Sequence, residues 1–68
     1  MSFQVEIRAV GETLFCENSL VFETKREAIH YGADLYTRWT GMEEWKVVET
    51  TKPVNYVWDF EKNTYCPI

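Results

Sequence analysis

The chain has 68 residues, 46% apolar and 16% aromatic, with seven basic against eleven acidic side chains and a net charge of −4. That length makes one domain, which buries only about 60% of its unfolded surface, so a catalytic pocket would compete with the core for the same few side chains. The acidic balance argues against a nucleic-acid module, whose affinity comes largely from phosphate neutralisation, and against docking on an anionic membrane.

The charge is unevenly spread, about −3 before Thr24, +1 from Thr24 to Gly41 and −2 after it. The N-terminal MSFQVEIRAV has neither the basic start nor the apolar run of a signal peptide, and nothing approaches the ~20 apolar residues of a membrane span. A cytoplasmic protein is expected, with Cys16 and Cys66 as reduced thiols. Two Cys and the single His30 fall one ligand short of a tetrahedral zinc site, and their spacing matches no zinc pattern. No metal or other cofactor is expected.

Ser2 to Val10 alternates, with Phe3, Val5, Ile7 and Ala9 on one face and Gln4, Glu6 and Arg8 on the other, the mark of a half-buried strand. Gly11-Glu12 reads as a two-residue hairpin turn with Gly in the first place, as type II′ demands. A second strand follows from Thr13 to about Glu17. Glu17-Asn18-Ser19 interrupts it by a turn or bulge, and Leu20, Val21 and Phe22 resume an extended run. Whether these are one bent strand or two short ones is open at this level.

Thr24 with Glu27 three residues later is a capping box, in which the Thr hydroxyl accepts from the Glu27 amide and the Glu27 carboxylate reaches back to the Thr24 amide. A helix is predicted to Gly41, which would end it in the left-handed conformation. Stepping 100° per residue puts Ala28, Ile29, Gly32, Leu35, Tyr36 and Trp39 on its apolar stripe and Arg26, Glu27, His30, Asp34, Thr37 and Arg38 opposite. The chain reverses at Met42-Glu43, and Glu44 to Thr50 reads as a strand with Trp45 and Val47 facing one way and Val48 the other. Pro53 marks a turn. Alternation returns with Val54, Tyr56, Trp58 and Phe60. Glu61 to Thr64 has turn composition, after which Tyr65 to Ile68 folds back as an edge segment or lies along the sheet.

The order strand, strand, helix, strand, strand predicts an α+β fold with the helix on one face of a small antiparallel sheet. There is no internal repeat and no linker, so a single domain over residues 1–68 is expected.

Little in this chain has the pattern of a reaction centre. His30 lies one helical turn from Glu27 and Asp34, which reads as a surface histidine in a helix salt link, with no nucleophile beside it. Cys16, with Leu14 and Phe15 as apolar neighbours, reads as a thiol packed as a small hydrophobe, and Cys66 as the more exposed of the two. Glu43, Glu44 and Glu49, with Asp59 and Glu61 across the turn, are candidates for an acidic face. Such a face would imitate the phosphate row of a nucleic acid and enter a basic groove on another protein, where complementarity speeds association and sets register. Tyr56, Trp58 and Phe60 recur at period two beside Trp45. On a basic sheet such a row would stack bases, and on this acidic one it reads first as the core face, with any exposed part serving as an interface anchor.

Thr24 with Glu27 and Ala28, Arg38-Trp39-Thr40, Trp45-Lys46-Val47-Val48 and Pro53-Val54-Asn55-Tyr56 together resemble a family of small, uncharacterised bacterial and phage-borne proteins. The resemblance covers the second two-thirds of the chain, implies a prokaryotic or phage origin and carries no activity. Size, acidity and this resemblance point to a non-enzymatic protein-interaction module. In its concrete form it is a phage- or mobile-element-encoded inhibitor, an anti-CRISPR-like protein acting in the host cytoplasm on a complex with a basic nucleic-acid groove. Glu43, Glu44, Glu49, Asp59, Glu61 and Tyr56 are its expected partner-binding residues. The alternatives are a single-stranded nucleic-acid binder using Tyr56 and Trp58, and a protein that self-associates, for instance as a homodimer, through the exposed sheet face or edge.

Overall fold

A computed structural model describes every residue from Met1 to Ile68. The elements run β1 (Ser2–Ala9), β2 (Cys16–Phe22), α1 (Lys25–Arg38), β3 (Met42–Thr50), β4 (Tyr56–Asp59) and β5 (Thr64–Pro67). The class is α+β. The strands number five rather than four, and they form two antiparallel sheets, one ordered β2-β1-β3 and a separate β4-β5 hairpin.

β1 is the central strand, and its alternation sets the two faces of the larger sheet. Phe3 stands opposite Phe22 and Glu49, Val5 opposite Val47, and Ile7 opposite Trp45. Because cross-strand partners project to the same side, these residues share the core face, where Val5 is fully buried. Glu6 opposite Lys46 and Arg8 opposite Glu44 lie on the other face.

The β1-β2 connection differs from the expected two-residue hairpin. Gly11 has φ +88 and Glu12 N–H donates to Ala9 C=O at 3.0 Å, so Gly11 is the third residue of the turn, where a type II turn requires positive φ. Residues 13–15 are then loop, and β2 begins at Cys16. β2 is one strand. Gln4 faces Val21 but Glu6 faces Glu17, so extra β2 residues are absorbed as a bulge beside Asn18, whose Oδ1 accepts from Leu20 N–H at 3.0 Å.

The helix starts where the capping box places it. Thr24 is extended, and its Oγ1 accepts from Glu27 N–H at 3.2 Å. The end is earlier than expected, for Trp39 is the C-cap and donates its N–H to Leu35 C=O. Gly41 keeps a negative φ, so no left-handed cap forms there, and the chain reverses in a turn closed by Met42 N–H donating to Trp39 C=O at 3.3 Å, entering β3, which already includes Met42 and Glu43. The buried positions of the helix are Glu27, Ala28, Tyr31 and Gly32, with Leu35 packed against the core. Ile29, Tyr36 and Trp39 are exposed. The buried stripe is thus rotated toward Tyr31 and is narrower than the sequence alone indicates. Gly32 has a physical reason to be glycine: a Cβ there would sit 2.4 Å from two ring carbons of Trp45, so β3 approaches the helix through that indole.

Six residues from four elements close the core: Val5, Leu20, Phe22, Ala28, Tyr31 and Trp58. Trp58 comes from the second hairpin, whose tip is tied by Asp59. Its Oδ1 accepts from Glu61 N–H at 2.9 Å and Lys62 N–H at 3.2 Å, and Asn63 takes the left-handed conformation, φ 58, that Asn tolerates well.

Candidate functional site

The second hairpin is held to the rest of the molecule by polar groups that belong to no ladder. Glu27, placed on the solvent side by helical periodicity, is buried. Its Oε1 accepts from the Thr24 hydroxyl at 2.9 Å and its Oε2 from Trp58 N–H at 2.9 Å. The carboxylate of the capping box therefore binds the Thr24 hydroxyl and not the Thr24 amide, and its second oxygen is free to anchor β4. Asn55 performs the equivalent task on β2. Its Oδ1 accepts from Val21 N–H at 2.7 Å, its Nδ2 donates to Ser19 C=O at 2.8 Å, and its own N–H donates to Val21 C=O at 3.1 Å. Sequence reading passed over Asn55. The signal available was a lone amide side chain just after Pro53, where a side chain can bond backbone in place of a ladder.

Aromatic contacts complete the docking. Tyr31 meets Phe22 at 5.4 Å and Tyr65 edge-on at 5.1 Å, and Tyr56 meets Tyr65 at 5.7 Å between centroids. Burial raises the Tyr31 pKa above its ordinary value, opposed by the Asn18 amide, which donates to its hydroxyl at 2.8 Å. Trp58 is buried with no acceptor for its Nε1–H. Its ring area must offset that lost hydrogen bond. Being enclosed in the core, Trp58 presents no face on which a base could stack, and Tyr56 is half-buried against Tyr65.

The expected acidic residues occupy three separate places. Glu43 and Glu44 share one partner: Arg8 Nη1 lies 2.9 Å from Glu43 and Nη2 3.0 Å from Glu44. Neighbouring strand residues ordinarily project to opposite faces. Here Arg8 pairs with Glu44 while Ala9 pairs with Met42, so Glu43 is the extra residue of a bulge, and a bulge re-aims its side chain. The Glu44 hydrogen bond, with the charge of Glu43, raises the Arg8 pKa above its ordinary value. Glu49 lies roughly 17 Å further along β3 at ~3.3 Å per residue, on the core-facing side at its solvent margin, and joins none of the ion pairs. Asp59 is committed to turn amides at the tip of the second hairpin, where Glu61 is exposed.

On the outer face of the larger sheet, Lys46 pairs with Glu6 at 3.7 Å and lies 4.3 Å above the Phe15 ring, and Lys52 pairs with Glu17 at 2.6 Å. These pairs are exposed, and each contributes no more than about 1 kcal/mol.

His30 does not form the expected salt link. Its ring lies 5.0 Å from Phe60, edge to face, and 6.0 Å from Trp58, with Arg26 over the other part of the cluster, 4.7 Å from the Phe60 centroid. Asp34 pairs instead with Arg38 at 2.7 Å. The thiols also exchange their expected roles: Cys16 is exposed and Cys66 half-buried, because β2 begins at Cys16, at the sheet margin, while Cys66 pairs with Val57 in the hairpin.

One shallow depression of about 350 Å³ opens between the start of β1 and the segment after β3, lined by Met1, Ser2, Thr50, Thr51, Lys52, Pro53 and Val54. Ser2 Oγ is spent on Thr50 and Lys52 carbonyls at 3.0 and 2.6 Å, and Lys52 on Glu17. No three His, Cys, Asp or Glu side chains converge as metal ligands would, and no helix is long and apolar enough to cross a membrane. Comparison with protein-family models, with curated proteins and with solved structures gives no match.

Proposed function

We propose that the protein is a non-enzymatic interaction module whose working surface is the acidic side of the larger sheet. The observation that carries this reading is the mounting of Glu43 and Glu44 on a β-bulge, where both carboxylates are fixed by one arginine at the exposed end of β3. Carboxylates held on a strand are preorganised for a basic partner, so less ordering entropy is lost on binding. The helix and the second hairpin are taken to cover the opposite, Phe3-Val5-Ile7 face, which leaves the Glu6-Arg8 end of the charged face to solvent, while Ser2, Gln4 and Val21 at its other end are buried. In this reading the partner is a host protein complex with a basic nucleic-acid groove. The source is a phage or mobile element and the site of action the host cytoplasm, as the resemblance of the Thr24-Ala28, Arg38-Thr40, Trp45-Val48 and Pro53-Tyr56 motifs implies. An anti-CRISPR-like inhibitor is the concrete form.

The test is capture from host lysate followed by reconstitution with the purified complex. Binding should weaken as salt rises, should compete with double-stranded DNA, and should fall at least tenfold when Glu43 and Glu44 are replaced by Gln. Binding that ignores both salt and the double replacement contradicts the reading. So does tight binding of an oligonucleotide by the isolated protein, because an acidic surface repels phosphate.

A further inference from the structure

β3 is an edge strand, and the hydrogen bonds on the far side of the sheet determine which of its residues face outward. Val21 on β2 gives both its N–H and its C=O to Asn55, away from β1. In an antiparallel pair, residues directly opposite either both turn inward or both turn away. Gln4, opposite Val21, therefore turns its backbone groups toward β3. The β1-β3 register is continuous from Ser2 to Arg8, so Ser2, Gln4, Glu6 and Arg8 bond to Thr50, Val48, Lys46 and Glu44. The backbone N–H and C=O of Trp45, Val47 and Glu49 point out of the sheet.

These three residues are symmetric about Val47, and so is the regular part of β3 from Glu44 to Thr50. We propose that a second copy of this chain pairs antiparallel along β3, with the two-fold axis at Val47, giving one six-stranded sheet ordered β2-β1-β3-β3-β1-β2. In that register every outward group of one copy meets one of the other: Trp45 faces the partner's Glu49, and Val47 faces the partner's Val47. On the outer face, Lys46 stands opposite the partner's Val48 and Glu44 opposite the partner's Thr50. No like charges are directly opposed, so the pairing carries no such destabilising contact. An edge lysine commonly defends against such pairing, but Lys46 is already engaged by Glu6 and by the Phe15 ring. The bulge at Glu43 ends the rail on one side. The inference is independent of the host-partner reading, since Glu43 and Glu44 remain on the open outer face of the dimer.

Sedimentation equilibrium on the intact chain, up to ~1 mM, the Kd of a weak association, should show a species of twice the 8.1 kDa chain mass. Val48 makes the register testable by sign. Val48→Glu places a carboxylate opposite Lys46 at two symmetric positions and should tighten the dimer several-fold. Val48→Lys should weaken it by about tenfold, and adding Lys46→Glu to Val48→Lys should restore it. A fold defect cannot produce tightening in one variant and rescue in another. Amides of Trp45, Val47 and Glu49 should gain exchange protection with concentration, while those of Lys46 and Val48 are protected throughout. A monomer at every concentration, a dimer indifferent to Val48, or one that responds with the opposite sign would overturn the proposal. The opposite sign is what an axis at Lys46 gives, because Val48 then faces Glu44.

Discussion

The larger sheet and the second hairpin reach the same core by different means. In the sheet, β1 is hydrogen-bonded along both edges, and its period-two alternation delivers Phe3, Val5 and Ile7 to one side without help from any particular polar group. The hairpin has too few strands to be stable alone in water. It buries Trp58 and is fastened by two side chains, Glu27 from the helix and Asn55 from its own entry segment. A ladder tolerates substitution at most positions because its bonds are backbone bonds. A side-chain tether does not. The difference locates where this small domain is most easily broken, and it explains why one buried carboxylate sits in the first turn of the helix.

The largest effect is expected at that carboxylate. Glu27→Ala removes the partner of Thr24 and leaves Trp58 N–H buried without an acceptor, a loss of about 3 kcal/mol when a cap and an unsatisfied buried amide are combined. Urea denaturation will measure it, and Glu27→Gln, which keeps an acceptor oxygen, should lose roughly half as much. On the sheet side, Gly32→Ala should cost about 2 kcal/mol by overpacking. The added methyl meets the body of the Trp45 ring, and this outweighs the ~1 kcal/mol by which Ala favours a helix over Gly. If that variant is instead stabilised, the helix does not rest on Trp45. Asn55→Ala should cost about 1.5 kcal/mol, because Val21 N–H and Ser19 C=O lose their partners at a sheet edge that water can partly reach.

Tyr31 offers a test in pH. Its folded pKa is raised above its ordinary 10.0 by burial, so in the interval above the unfolded value the unfolded chain binds fewer protons than the folded one. The contribution is complete below that ordinary value and is lost as pH rises through the folded one. Thermal midpoints should decline above about pH 10, and Tyr31→Phe should remove that share of the decline. The smallest effect belongs to the outer face, where Arg8→Ala should change stability by less than about 1 kcal/mol even though it releases two carboxylates, which sets fold apart from surface.

Much of the sheet was legible in the sequence, because alternation over Ser2 to Ala9 and the Thr24-Glu27 capping box are local signals with one physical solution each. The loop at residues 10–15 was misread because Gly11 serves a type II turn as well as a hairpin. The rotation of the helix stripe toward Tyr31 arises from the hairpin, whose Tyr65 and Trp58 pack where solvent would otherwise be. Helical periodicity cannot register a neighbour that arrives thirty residues later in the chain. For the same reason the segment from Val54 to Phe60 looked like one more strand of the same sheet, when Pro53 and Asn55 had already turned it out of the ladder. Of the candidate surface, the identities of Glu43 and Glu44 were readable, but their convergence on Arg8 depends on a bulge that no local pattern announces. His30, Cys16 and Cys66 were each placed by the company they keep in sequence, and each is governed by contacts made across the fold.

Native-state hydrogen exchange on Glu27→Gln tests the division of the molecule most directly. If the hairpin is a tethered layer, the amides of β4 and β5, Trp58 first among them, should lose protection by tenfold or more relative to wild type, while Gln4 and Val48 keep theirs up to the global unfolding limit. Equal loss of protection across β1, β3, β4 and β5 would contradict the account, and would mean that sheet and hairpin open only together.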